Sequence, residues 1–376
     1  MTHARENHWR SELSEAKRRH LRVWLWSGAG LTFLILVIGG ITRLTESGLS
    51  MVDWNPIVGV IPPLSHAKWE AAFARYREFP EYQKLRPGMT LAEFRFIFLW
   101  EYLHRLAART IGLVFIIPVV WFGAKGYLTP PLRRRLFALF GLGALQGFMG
   151  WFMVMSGLVD DPRVSQYRLA AHLSIAIAIF GYCIWLVREL TTPVPARLSS
   201  GTRAAGPTRC IYALGALLAL QIVWGAFVAG LDAGFIYNTF PGMAEGWLPP
   251  NGLQLQPAIR NLTGNPATVQ WIHRVLGTLL LLAATLAFLV TRAVRGDHTS
   301  RRLALAFWVL VATQYSLGVV TLLRHVPLPL GVAHQATAVV IVGTWIAWMH
   351  HDRALRLDPS ELESHAHRGN SRVSVE

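Results

Sequence analysis

Long apolar runs broken by short polar segments dominate this chain. Windows of about 20 residues, enough to cross about 30 Å of hydrocarbon, occur near 23–42, 97–122, 136–158, 169–187, 210–230, 269–291, 303–323 and 330–350. They predict eight transmembrane helices and an all-α integral membrane protein. The polar connections carry two further signals. Trp69, Ala72, Phe73 and Tyr76 recur at i, i+3, i+4 and i+7, which predicts an amphipathic helix lying on the membrane and ended before Pro80. Thr90 with Glu93 has capping-box spacing and starts the second span above the bilayer. Whether the 43–96 connection covers a pocket or only anchors itself is left open by this pattern.

Composition agrees with a membrane protein: 53% of the 376 residues are hydrophobic and 15 are Trp. The formal net charge of +15 would also suit a nucleic-acid binder, so the placement of the basic residues decides. With a cytoplasmic N-terminus, cytoplasmic segments hold 22 Lys/Arg against 10 Asp/Glu, and the outer connections hold 11 against 10. That surplus obeys the positive-inside rule and makes the charge a topology signal, with membrane lipid rather than nucleic acid as the partner. Glu6, Glu12 and Glu15 in the first 22 residues fit neither a cleavable secretory signal nor an acid-poor transit peptide. A bacterial inner membrane with both termini cytoplasmic is the expectation. Cys183 and Cys210 are the two cysteines and read as small buried hydrophobes rather than redox groups. The sequon Asn261-Leu262-Thr263 reads as coincidence.

The chain repeats itself. IGGITRLTESGL (38–49) resembles WGAFVAGLDAGF (224–235), which sets Gly39 on Gly225, Glu46 on Asp232 and Gly48 on Gly234. EYLHR (101–105) matches QWIHR (270–274), and RLAAHLSIAI (168–177) parallels LGVAHQATAV (330–339). Gln146 precedes Gly150 by four residues, as Gln314 precedes Gly318. Each half holds an even number of spans, so the pseudo-twofold axis runs along the membrane normal. The expected domains are a cytoplasmic tail (1–22), an N-terminal four-helix bundle (23–190), a Pro/Gly/Ser/Thr-rich cytoplasmic linker (191–208), a C-terminal four-helix bundle (209–350) and a cytoplasmic tail (351–376).

The repeat brings four histidines into register: His104, His172, His273 and His334. The first inner charges below them are Lys125, Arg188, Arg292 and Arg353, which places each imidazole roughly 24 to 32 Å above the inner interface at 1.5 Å per residue. All four lie near the outer surface of the hydrocarbon, in pairs on helices that an up-down bundle places diagonally across one core. Ionisable groups at membrane depth are costly and usually functional. A membrane histidine can also simply bond a neighbouring helix, but four at one depth in register argue against that. Zinc or copper lacks a completing cysteine or carboxylate in the second half. Porphyrin iron held between two imidazoles explains the pairs better. Small residues nearby (Ala107, Ala108, Gly112, Ala170, Ala171, Gly277, Gly331, Ala333) leave room for a flat ring or serve ordinary helix packing. Arg105, Arg274 and Arg168 lie at the same level, where a guanidinium could pair with haem propionates or reach to lipid headgroups.

The halves differ at one position three residues before a histidine, on the same helix face: Glu101 precedes His104, and Gln270 precedes His273. An electron relay has no need of a carboxylate in one half only, whereas an active site has, because such a group can shuttle protons. Glu101 could instead be an ion-pair partner of Arg105 at i+4. The 43–96 connection is also longer than its counterpart at 231–268.

From about Trp24 to His350 these features resemble the haem A synthase family, which oxidises a ring methyl of haem O to the formyl group of haem A for cytochrome oxidase. The resemblance rests on the eight spans, the duplication, the four histidines and the Glu-x-x-His of Glu101 and His104. It implies that His273 and His334 ligate a resident haem b, that His104 and His172 line the haem O site, and that Glu101 is the catalytic glutamate. It also implies dealings with a haem O-producing enzyme and a quinone or other electron acceptor, and leaves a homo-oligomer open. Some members carry a cysteine pair in an outer loop; this chain has none there, so thiol–disulfide exchange is not part of its mechanism. The rival readings are a di-haem b-type electron-transfer cytochrome and a haem carrier; no Gly/Pro-interrupted span pair near the midplane supports the latter.

Overall fold

The computed structural model describes residues 12–52, 61–157, 164–191, 206–244, 246–295 and 297–355. Nearly all regular structure among them is helical: α1 (Glu15–Leu44), α2 (His66–Arg77), α3 (Leu91–Ala124), α4 (Pro130–Gly157), α5 (Gln166–Thr191), α6 (Gly206–Gly230), α7 (Pro266–Val294), α8 (His298–Leu323) and α9 (Leu328–Ala354). All but α2 are long and apolar enough to cross a membrane, so the eight expected spans are present. Several helices begin earlier than hydropathy suggests, because their ends are fixed by caps rather than by apolarity. Thr90 and Glu93 form the expected capping box and start α3 six residues before its apolar run. Asn265 accepts from the backbone N–H groups of Ala267 and Thr268 at the start of α7, and Asp297 does the same for Ser300 in α8. The expected tails and linker fall mostly on 1–11, 356–376 and 192–205, outside the described residues.

In the first half α1 packs on α3 and α5, and α4 packs on α5; in the second, α6 packs on α7, α7 on α8 and α8 on α9. The halves meet through α5 against α6 and α9, and through α1 against α9. The largest side chains removed from solvent fall into two groups. Leu21, Leu25, Leu186, Ile211, Leu214, Phe307 and Trp348 lie at the end of the bundle away from the histidines. Tyr76, Phe94 and Met243 lie in the covers at the histidine end. A smaller buried cluster of Ala170, Ala226, Phe227 and Val269 lies at the level of the histidines.

The cover of the first half departs from expectation. Phe73 and Tyr76 of α2 are buried against Phe94, Ile97 and Phe98 at the start of α3. Phe73 stacks on Phe94 with ring centroids 5.0 Å apart, and Trp69 meets Phe98 edge-on at 5.1 Å. The amphipathic helix exists at the expected residues, but its apolar face is turned onto protein rather than lipid. An aromatic face that finds a facing aromatic ridge on α3 gains more from ring packing than from an interfacial position.

Candidate functional site

The four histidines come together as two couples, one per half. His273 (α7) and His334 (α9) stand with ring centroids 6.5 Å apart and planes crossed at 76°. His104 (α3) and His172 (α5) are near enough to interact electrostatically, but their rings make no contact. All four are partly accessible.

Each imidazole rests on a glycine of a neighbouring helix. A Cβ on Gly39 (α1) would lie 3.3 Å from His104 Cε1, on Gly150 (α4) 3.2 Å from His172 Cε1, on Gly225 (α6) 3.0 Å from His273 Cε1, and on Gly318 (α8) 2.9 Å from His334 Cε1. These glycines let the ring approach the helix backbone more closely than any side chain would permit. Three of the seats carry a glutamine one turn earlier. Gln146, Gln221 and Gln314 place their amides 3.1, 3.4 and 3.3 Å from Nε2 of His172, His273 and His334. Nδ1 of each of those rings is buried without a partner. At the corresponding place before Gly39 stands Ile35, and the His104 ring makes no side-chain hydrogen bond among the described residues. Gln146 and Gln314 were visible in the repeat; Gln221 was missed, although its spacing to Gly225 is the same signal.

One ring nitrogen held by an outer partner while the other lacks one is the arrangement of a metal-ligating imidazole. A metal–nitrogen bond of about 2 Å on each side, plus about 1 Å from nitrogen to ring centre, asks for centroids a little over 6 Å apart. The 6.5 Å between His273 and His334 meets that requirement. Among the described residues no three His, Cys, Asp or Glu side chains converge as an all-protein metal cage would need. The His273–His334 couple thus fits an iron that brings its own equatorial ligands, as porphyrin iron does.

Beside each couple an acid or amide ties down the adjoining connection. Glu101 is 2% exposed. Its Oε2 accepts from Ser50 Oγ and from the Met51 backbone N–H, both at 2.7 Å, and its Oε1 pairs with Arg105. Arg105 also donates to the Met51 carbonyl at 2.9 Å. In the second half Gln270 donates to the carbonyls of Ala233 and Tyr237 at 2.8 and 3.2 Å and accepts from Arg274 at 3.1 Å. Arg274 donates to the carbonyls of Tyr237, Thr239 and Gly242. The Glu/Gln difference therefore has a packing cause as well: the first connection offers N–H and O–H donors, the second offers carbonyls. Arg105 and Arg274 are both engaged with loop backbone. The Arg168 guanidinium stacks over the Phe152 ring at 4.3 Å.

Both connections leave their spans through the same turn, with Glu46 at φ 51° and Asp232 at φ 52°. Arg43 joins the two turns by donating to Asp232 at 2.7 Å, and Gln335, next to His334, donates to the Leu36 carbonyl of α1 at 2.6 Å.

Residues 22–346 match the family model described as COX15-CtaA, cytochrome oxidase assembly protein. The chain is 43% identical to a heme A synthase of Nitrosospira multiformis, covering 90% of this chain and 94% of that one. It is 48% identical to a heme A synthase of Agrobacterium fabrum, covering 89% and 90%. It is also 41% identical to the human heme A synthase COX15, covering 89% and 83%. Matches of this extent, over a chain with eight membrane-length helices and two imidazole couples, show that it belongs to the COX15-CtaA family of cytochrome oxidase assembly proteins.

Proposed function

We propose that this chain is a haem A synthase, oxidising a ring methyl of haem O to a formyl group. The observation that carries this reading is the unequal build of the two couples. His273 and His334 face each other at iron-bridging distance, each on a glycine and each against a glutamine. That suits a resident haem b, which supplies electron transfer when bound. His104 and His172 are farther apart, and His104 lacks a glutamine. A looser couple beside a buried carboxylate, Glu101, suits a porphyrin that must arrive, react and leave. Two successive oxidations carry the methyl to a hydrated aldehyde, which loses water, and Glu101 takes up and releases the protons. Arg105, Arg274 and Arg168 keep the loops and helix ends at propionate level in place.

In this reading the molecule is two pseudo-symmetric four-helix bundles, 23–190 and 209–350, in a bacterial inner membrane. Its tails are cytoplasmic and both sites lie near the outer face, as the distribution of basic residues supports. A haem O-producing enzyme would supply the substrate, and a quinone or comparable carrier would take the electrons. The test is to express the chain with a source of haem O and extract membrane pigment. A formyl-porphyrin absorption band is expected; haem O and haem b alone would favour the electron-transfer cytochrome.

The glycine seats give a sharper check on the resident haem. Gly318→Ala puts a methyl 2.9 Å from His334 Cε1, and Gly225→Ala one 3.0 Å from His273 Cε1, so a ring must shift although alanine is the better helix former. Each variant is expected to lower haem b content per chain and alter the Soret band. Gly141→Ala, where a Cβ meets nothing within 4 Å, is expected to change neither. Spectra of the three purified side by side decide the point.

A further inference from the structure

Glu81 is a buried acid that the reading above does not use, and unlike the buried Glu189 and Asp352, which pair with Arg135 and Arg295, it has no ion pair at contact distance among the described residues. It opens a π-helical segment, Glu81–Leu85, in the connection between α1 and α3, and single π turns recur at functional sites. It is 4% exposed, yet its Oε2 meets no hydrogen-bond partner. Buried carboxyls are ordinarily fully paired, and a mere loop anchor would be. The Tyr76 hydroxyl of α2 is also buried without a well-formed hydrogen bond. Tyr76 and Glu81 lie side by side, and each also feels the charge of Glu101. Both sit in the aromatic roof of Phe73, Tyr82 and Phe94, which rests on α3 through Phe98, three residues before Glu101. Arg86 lines a cavity of about 540 Å³ together with Thr45, Met89, Glu93, Phe96 and Ile97. Arg86 reaches from it to the Thr45 carbonyl and the Glu46 carboxylate, and its charge acts on Glu81.

We propose that Glu81 is a proton-relay residue, passing protons released at Glu101 through the Tyr76 hydroxyl toward Arg86 and the water-accessible cavity that Arg86 lines. This rests on the functional reading above. In the relay, the Glu81 O–H bond breaks toward water on the Arg86 side. A proton from Glu101 then reaches Glu81 by way of Tyr76, which accepts one proton and gives up its own. No electrons move. The charged and titratable groups around Glu81 are Arg86 and Glu46 from one side, Tyr76 from α2, and Glu101 with its partner Arg105 from α3. Burial pushes the Glu81 carboxyl up to about 8, with Arg86 and a loose hydrogen bond from Tyr76 opposing the shift and Glu101 and Glu46 adding to it. Glu81 thus holds a transferable proton at neutral pH and loses it as the pH rises through about 8.

The experiment measures conversion of haem O by the full-length, haem b-loaded chain between pH 6 and 9. The wild-type rate is expected to fall as pH rises through about 8. Glu81→Gln and Tyr76→Phe should each lower the rate about tenfold or more with haem b content unchanged, and Glu81→Gln should flatten the alkaline fall, which Glu81→Asp should retain. Tyr76→Phe keeps the ring in the aromatic cluster and removes only the hydroxyl that faces Glu81, so it should fold even where a Glu81 variant does not. Wild-type rate and pH profile in either Glu81→Gln or Tyr76→Phe would overturn the relay. So would loss of haem b in step with activity in Glu81→Gln and Glu81→Asp alike, which marks a structural anchor. A wild-type chain inert toward haem O would sink the functional reading itself; wild-type conversion with indifferent variants sinks the relay alone.

Discussion

Replacing His273 or His334 by alanine is expected to remove the resident haem. In the proposed reading these two rings would hold the haem iron, and the neighbouring amides of Gln221 and Gln314 already face ring nitrogens. Loss of an outer partner alone typically costs 10- to 100-fold in metal affinity, so loss of a ligand itself should cost more. Haem b per purified chain should fall to roughly a tenth of wild type or less on that scale, and no haem A should form. The fold should survive. Both rings are only partly buried, and the tightly packed end, from Leu21 and Leu25 to Phe307 and Trp348, is remote from them. Far-ultraviolet circular dichroism should therefore remain helical while the Soret band disappears. Alanine at His104 or His172 should do the reverse, keeping the C-terminal pigment and abolishing conversion. An unchanged Soret band in the His273 and His334 variants would end the assignment of that couple.

The spans, the capping box at Thr90 and the histidine couples were legible in the sequence because each rests on local or periodic chemistry: apolarity, i to i+3 capping, and repeated spacing. The glycine seats were half legible. The repeat aligned Gly39 with Gly225 and Gly150 with Gly318, but only the packing of α1, α4, α6 and α8 against the histidine helices reveals that each holds an imidazole. The orientation of α2 was not legible. Its amphipathic period says that Trp69, Phe73 and Tyr76 share a face, and nothing local says whether that face meets lipid or the ridge of Phe94 and Phe98. Glu81 gave no signal either, since an acid in a polar connection is ordinarily exposed and its burial depends on the π turn and the aromatic roof.

The two halves diverge most around His104. The second couple has a glutamine on each ring and an amide, Gln270, that joins its loop through carbonyls. The first has Ile35 in place of one glutamine and a carboxylate in place of the amide. In the proposed reading, a half that only stores a haem has reason to hold both rings rigidly. A half that handles a substrate has reason to loosen one ring and add an acid.

Glu101→Gln separates the chemical role of that acid from its structural one. In place, the carboxylate accepts from Ser50, the Met51 N–H and Arg105. An amide has one accepting oxygen, so its NH2 group must face a donor and leave it unsatisfied, at a cost of about 1–3 kcal/mol. The 45–52 connection should loosen, with a lower Tm and faster proteolysis there. If that is all Glu101 does, activity should fall only with the folded fraction, and pairing Glu101→Gln with Ser50→Ala, which removes a competing donor, should recover part of both. If Glu101 moves protons, conversion by folded, haem b-loaded protein should fall about 10²- to 10⁴-fold, haem O or an alcohol intermediate should accumulate, and Ser50→Ala should restore stability without restoring the rate. Haem b at His273 and His334 should be unaffected in both variants, so pigment content normalises the comparison. Full haem A yield from Glu101→Gln would remove the carboxylate from the mechanism and leave it as the clasp of the first connection.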